Sequence, residues 1–321
     1  MNILTPLNRF TDIDVLADAG ANEFYIGFTD KAWTDKFGMF ETVNRCSAYG
    51  MNANSSTIDD VPRFASGAHR RNASLYVVLN SQSYNDDQLK WIEYYIDRIA
   101  ASGADGVIVS TPEQVKIAKK HGIKAVASTM CSVYNSDIAK FYTDLGIDRI
   151  ILPRELSTEA IEKITSAIPD MEYEAFLMRN GCKHADSFCL GLHGGKFGGL
   201  CFDQSQRKPE MVILDNDKID DGIFNSKEYN SYLYETVFHK NACGQCALYR
   251  LEHIGITAAK IVGRMDDVND IAATVRLTRN NLRIAAEAES EAAYLRRMEM
   301  PDNRFEFCAS GLSCYYPEIR Y

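Results

Sequence analysis

The feature that most narrows the fold is a repeated alternation between two kinds of periodicity. Short apolar runs bounded by turn residues recur at 2–5, 23–26, 74–79, 106–109, 124–127, 149–152 and 172–178. Segments of helical period separate most of them, at 12–19, 58–71, 86–101, 112–120, 137–145 and 157–167. In 86–101, Trp91, Tyr95 and Ile99 recur every fourth residue and so share one helix face. Pro112 falls in a first helical turn, where its missing N–H is tolerated. Gly20 and Gly122 follow helix ends. Ser157 caps its helix alone, because Ala160 cannot complete a capping box.

Strands alternating with helices build parallel βα units. An eighth run, 258–262 in GITAAKIVGR, completes the set; residues 51–53 are its rival. Eight units favour an α/β fold of the closed (β/α)8 type, TIM-like, over an open sheet. Taking 258–262 puts a cysteine-rich excursion after strand seven. The expected organisation is a barrel over 1–265 with a cysteine-rich insertion at 179–250. A C-terminal extension follows over 266–321: one helix or two up to 297, then a tail holding Cys308 and Cys314.

Charge and targeting signals narrow the function classes. Lys and Arg total 35 against 44 Asp and Glu, a formal net charge of −9. That balance disfavours a broad nucleic-acid footprint, though not a local basic patch. The start, MNILTPLNRF, lacks a charged region followed by an apolar one. No apolar run approaches the roughly 18 residues of a membrane span. We therefore expect a cytoplasmic protein without a membrane partner. In a reducing compartment its nine cysteines are thiols or metal ligands rather than disulfides.

Five of those nine, Cys182, Cys189, Cys201, Cys243 and Cys246, lie between 179 and 246. Thiolates are strong, soft ligands, so the clustering points to a shared metal. The ligand set expected is Cys182, Cys189, Cys201 and Cys243, with Cys246 as the substitute for Cys243. Four thiolates including a CxxC pair suit structural zinc. The uneven spacing equally suits an iron–sulfur cluster wrapped by a loop, and unligated buried cysteine is the bland alternative. His184 and His193 stand inside the same stretch as further ligand or proton-donor candidates. The run GLHGGKFGG matches no phosphate-loop pattern, and DNDKIDDG lacks the spacing of a calcium loop. Cys131 is the best isolated nucleophile candidate, but HExxH and GxSxG are absent.

In a barrel the loops after the strands form the functional face. That reading selects Arg154, Glu155, Lys260 and Arg264 as catalytic candidates. Asn80, Ser128, Thr129 and Arg179 are selected for substrate binding. Three arginines and a lysine at one mouth suit carboxylate or phosphate groups. The competing reading makes them structural ion pairs at the rim.

Several segments carry a family resemblance. LTPLNRFTDIDVLADAGANEFYIG, SLYVVLN, ASTMCSVYN, DRIILPRELSTEAI and GITAAKIVGRMDDV resemble successive blocks of the U32 family, long labelled collagenase-like peptidases. The likeness runs from residue 1 to about 283, with RELS and KIxGR its most specific parts. Where the family has HGAxC, this chain reads RNGC. The resemblance implies a barrel whose cysteines hold a [4Fe–4S] cluster. It also implies oxygen-independent hydroxylation, on quinone precursors in some relatives and on ribosomal or transfer RNA in others, with prephenate the proposed oxygen source in the RNA branch. The expectation is an iron–sulfur oxidoreductase acting on an acidic small molecule, peptide or nucleotide, served by an electron donor or a second family subunit. A U32-type peptidase and a zinc-stabilised non-catalytic barrel are the alternatives.

Overall fold

The computed structural model describes residues 1–38, 41–45, 54, 56–182, 185–188, 241–301, 308, 311 and 313–319. The rival strand at 51–53, Cys189, Cys201, His184, His193 and the acidic run at 215–222 lie outside the described residues.

Eight parallel strands form a closed ring: β1 (Asn2–Pro6), β2 (Glu23–Ile26), β3 (Ser74–Leu79), β4 (Gly106–Val109), β5 (Lys124–Ala127), β6 (Arg149–Ile151), β7 (Glu172–Met178) and β8 (Ala258–Ile261). Each pairs with its sequence neighbours, and β1 closes the ring by pairing with both β2 and β8. Closure leaves no exposed sheet edge. The eighth strand is thus the one in GITAAKIVGR, and the fold is a (β/α)8 barrel.

The helices are α1 (Asp12–Ala19), α2 (Lys31–Phe37), α3 (Val61–Arg70), α4 (Asp86–Ala101), α5 (Pro112–Lys120), α6 (Ser136–Asp144), α7 (Thr158–Ala167), α8 (Leu248–His253), α9 (Val268–Glu287) and α10 (Glu291–Arg297). Local chemistry places their ends. Asn85 with Gln88 and Thr111 with Gln114 make capping boxes, each satisfying two otherwise unpaired N–H groups. Ser157 caps α7 alone, accepting from the Ala160 amide. The helical pattern at 58–71 resolves into a 3-10 turn, Ile58–Asp60, and α3. The stretch 266–297 breaks in two because Ser290 accepts from the Ala293 amide and starts α10. Helix α9 follows β8 and packs on α1, so it closes the helix ring as its eighth member. Among the described residues, no helix is long and apolar enough to cross a membrane.

Strand side chains alternate between the lumen and the helix layer. Phe24, Leu75, Val77, Val107, Ile150, Leu177 and Ile261 are buried against the helices. The alternate positions fill the lumen with charge. Arg149 on β6 reaches across the ring to Glu23 on β2, its two terminal nitrogens 2.6 and 2.9 Å from the carboxylate oxygens. Its Nε donates to Glu172 at 2.9 Å. Glu174 lies 3.9 Å from Arg149 and accepts from Lys260 Nζ at 2.6 Å. The Tyr76 ring lies beneath the Arg149 guanidinium, 5.0 Å from it.

Such a lattice contributes little relative to a well-packed apolar lumen, yet losing one partner strands a buried charge. Arg149→Met, which leaves Glu23 buried without its cation, should therefore cost about 3–5 kcal/mol. Urea unfolding at neutral pH measures this; a loss below about 1 kcal/mol would show that water already reaches the lumen.

Candidate active site

Three distant chain segments meet at the carboxyl end of β7. Residues 242–244 run antiparallel to the strand end, with Arg179 N donating to Ala242 O and Gly244 N to Leu177 O, both at 2.7 Å. Met178 bridges Cys243 there. On its other side Cys243 bridges Cys314 in parallel: Cys243 N donates to Ser313 O and Tyr315 N to Cys243 O, both at 2.9 Å. The tail therefore forms a wall of the site.

Beyond β7 the chain turns sharply. Arg179 and Asn180 have φ of 66° and 43°, a left-handed conformation that costs about 1–2 kcal/mol per non-glycine residue. Contacts on every side hold the turn. Tyr315 Oη donates to Arg179 O at 2.6 Å, and Arg179 Nε donates to Asp266 at 2.8 Å. Arg154 Nη1 donates to Asn180 O. The turn delivers Gly181 and Cys182 to a small, partly open cleft lined also by Arg154, Ala242, Ser313, Cys314 and Tyr315.

The mouth cations divide into two groups. Arg154, Arg179 and Lys260 already have carboxylate partners. Arg154 Nε donates to Asp186 at 2.7 Å, and its guanidinium stacks 4.1 Å over Phe176. Arg45 forms a second ion pair with Asp186 at 2.8 Å. Burial alone would raise the Asp186 carboxyl, but the Arg154 and Arg45 guanidiniums outweigh it and hold it down at about 2. Lys260 lies inside the lumen, not on a loop. Burial lowers its pKa, the Glu174 carboxylate partly opposes that, and Arg264 and Arg154 add to the lowering.

Arg264 is different. Its guanidinium lies 5.0 Å from the Tyr25 ring and donates to Asn54 at 3.4 Å. Among the described residues it is paired with no carboxylate. Gly27 makes room for it: a Cβ there would lie 2.8 Å from Arg264 Nη1 and 2.0 Å from Asn54 Oδ1.

The remaining candidates are placed as follows. Glu155 accepts from Tyr134 Oη at 2.9 Å and from the Asp186 amide at 3.0 Å. Asn80 Nδ2 donates to Ser128 Oγ at 2.9 Å, and Thr129 is buried in the turn after β5. Cys131 is not an activated nucleophile, because burial pushes its thiol up to about 12. Cys182 and Cys243 lie at the same end of the barrel as Arg154 and Arg179. Arg154 and Cys182 line the same cleft, close enough for the two side chains to interact electrostatically. Burial, with Cys246 and Cys308 nearby, raises Cys314 to about 11.

Among the described residues no three His, Cys, Asp or Glu side chains meet closely enough to hold a metal ion. Cys182 and Cys243 offer soft sulfur donors beside a cation, and that donor chemistry fits an iron–sulfur group completed by Cys189 and Cys201. Sequence reasoning missed Asp186, Arg45, Asn54 and Tyr315. Asp186 did leave a signal: a carboxylate between two expected thiolates demands cations of its own.

Asp186 has a folded pKa below the ordinary value of about 3.9. Its contribution is therefore present above about pH 4 and is lost as pH falls towards 2. Asp186→Asn should be less stable than the parent protein at pH 7, by about 2–3 kcal/mol. The gap should shrink below about pH 4 and vanish near pH 2 in urea unfolding. A gap independent of pH would show that the carboxylate's charge does not matter.

Comparisons with known proteins follow this geometry. The profile described as Peptidase family U32 matches residues 8–319. The tRNA hydroxylation protein P of Helicobacter pylori is 26% identical over 297 residues, covering 87% of this chain and 64% of that protein. An uncharacterized protease of Methanocaldococcus jannaschii is 26% identical over 314 residues, covering 93% of this chain and 68% of the other. A 23S rRNA 5-hydroxycytidine synthase of Escherichia coli is 31% identical over 139 residues, 43% of this chain and 21% of that one. The chain thus spans 64% of the length of the Helicobacter relative. A solved U32 peptidase superposes with a TM-score of 0.51 at 12% identity, over 82% of this chain and 93% of its own, and shares the barrel. With a match running nearly end to end, this chain belongs to peptidase family U32.

Proposed function

We propose that this protein is an oxygen-independent hydroxylase that modifies a nucleotide of RNA, with a [4Fe–4S] cluster held by Cys182, Cys189, Cys201 and Cys243. The observation that carries this reading is the convergence of three segments at the carboxyl end of β7: the turn carrying Cys182, which lines one cleft with Arg154 and Cys314, and the Cys243 segment bridged to Met178 and Cys314. The names of the Helicobacter and Escherichia coli relatives point to RNA as the substrate class. This runs against the expectation drawn from the net charge of −9. Whole-chain charge measures the average surface, whereas binding follows the local field, and this mouth collects cations.

A cluster bound there supplies one-electron redox chemistry. The chain's own residues do the rest. Arg264, paired with no carboxylate among the described residues, anchors an acidic group of the substrate or of the oxygen donor. Lys260 and Glu174, 2.6 Å apart, hold a shared proton in the lumen below it. Burial weakens the hold of Lys260 on that proton. Tyr25 lies between the two cations, 4.5 Å from Lys260 and 5.0 Å from Arg264, and screens the lumen from the mouth.

Anaerobically purified protein should be brown and carry about four irons per chain. Cys182→Ala and Cys243→Ala should remove the colour. RNA from cells lacking the gene should lose one oxygen-bearing nucleoside by mass spectrometry. Arg264→Ala should retain iron but lower hydroxylation roughly 10–100-fold, the worth of one charged hydrogen-bonding group. A colourless protein carrying zinc alone would overturn this reading.

A further inference from the structure

Arg154 reads from the sequence as a substrate-binding cation, but its hydrogen bonds point elsewhere. Nη1 donates to Asn180 O, two residues before Cys182, and Nε donates to Asp186, four residues after it. One guanidinium thus closes both ends of the Cys182 turn.

Asp186 itself is fully buried. Its two oxygens are ion-paired separately, one to Arg154 at 2.7 Å and one to Arg45 at 2.8 Å. Further hydrogen bonds hold the segment as well. The Asp186 amide donates to Glu155 at 3.0 Å, and Tyr134 Oη lies 2.8 Å from Ser187 Oγ. Arg154 rests on Phe176, whose ring stacks against Tyr315 with centroids 6.1 Å apart. Loops after β5 and β6, the end of β7 and the tail all converge on these few residues.

We propose that Arg154 and Asp186 form a buried clamp that fixes the Asn180–Cys182 turn relative to Asp186, so that Asp186 is a positioning residue for the Cys182 thiol. The proposal rests on the reading of Cys182 as a ligand. Two physical effects follow from the geometry. Fixing the backbone of a loop costs conformational entropy; a segment ordered in advance spares a metal group that cost. The clamp also sets the local charge. Asp186 cancels one of its two arginines, and Arg154 lines the same cleft as Cys182. A lone carboxylate in the same place would oppose ligation.

The test uses the full chain, purified anaerobically, as the parent protein and as Asp186→Asn, Asp186→Glu and the double variant Arg154→Gln/Asp186→Asn. The rate of iron loss to a chelator and the iron–thiolate spectrum report on ligand placement. Loss of a residue that orients metal ligands lowers affinity about 10–100-fold, so Asp186→Asn should lose iron at least tenfold faster, with an altered spectrum. Asp186→Glu should recover part of the difference. The double variant removes the stranded arginine charge, so its melting temperature should partly recover while iron retention does not. In metal-free protein, hydrogen exchange across 180–188 should rise in Asp186→Asn, with the barrel strands unchanged.

Iron retention and spectrum equal to the parent in Asp186→Asn would overturn the clamp. So would recovery of iron together with melting temperature in the double variant, because that assigns Asp186 to stability alone. Absence of iron from the parent protein would sink the proposed function, and the exchange measurement would still decide whether the clamp exists.

Discussion

Glu174 sits in the lumen between two cations, 3.9 Å from Arg149 and 2.6 Å from Lys260. The rest of the architecture depends on that shared carboxylate. Below it, Arg149 ties β6 to β2 on the opposite side of the ring. Above it, Lys260 couples to the arginines of the mouth. Two carboxylates, Glu23 and Glu174, face two cations in a space with little water, and Glu172 adds a half-exposed charge at the lower rim. Charge neutrality is what makes such a lumen tolerable, since an isolated buried ion would cost far more than packing could return.

The same logic sorts the charges of the mouth. Arg179 answers Asp266, and Arg154 answers Asp186 and the Asn180 carbonyl. These pairs shape backbone: they hold a left-handed turn and the start of the thiol segment in place. Among the described residues Arg264 pairs with an amide oxygen and an aromatic ring but with no carboxylate, so it is the mouth cation whose desolvation a ligand can most readily offset. On a negatively charged chain, a mouth cation without a carboxylate among the described residues is therefore a local construction.

Much of the barrel was legible because its signals are local. Apolar runs, capping residues and turn glycines act within a few positions of one another, and the strands fall within a residue or so of where those signals put them. The break near Ser290 was less legible, since a single capping hydroxyl had to outweigh a continuous helical pattern. The ionic partners were not legible. Glu23 and Arg149 are 126 residues apart, and only the closed ring brings them together. Lys260 shows the same limit. Strand parity points it into the lumen, but counting from the strand end suggests the rim. The two cysteines expected between Cys182 and Cys243 lie outside the described residues.

The tail carries a consequence for the order of assembly. Tyr315 and Tyr316 donate to backbone carbonyls at the end of β7, across 136 and 140 positions, and Glu318 accepts from the first amide of α7 across 160. These residues follow all eight strands of the ring in the chain, so they are synthesised after it. The ring can therefore be complete while its cysteine chamber still lacks a wall. During biosynthesis the chain would pass through a stage in which the barrel is folded and that end of it stays open until those tyrosines emerge from the ribosome.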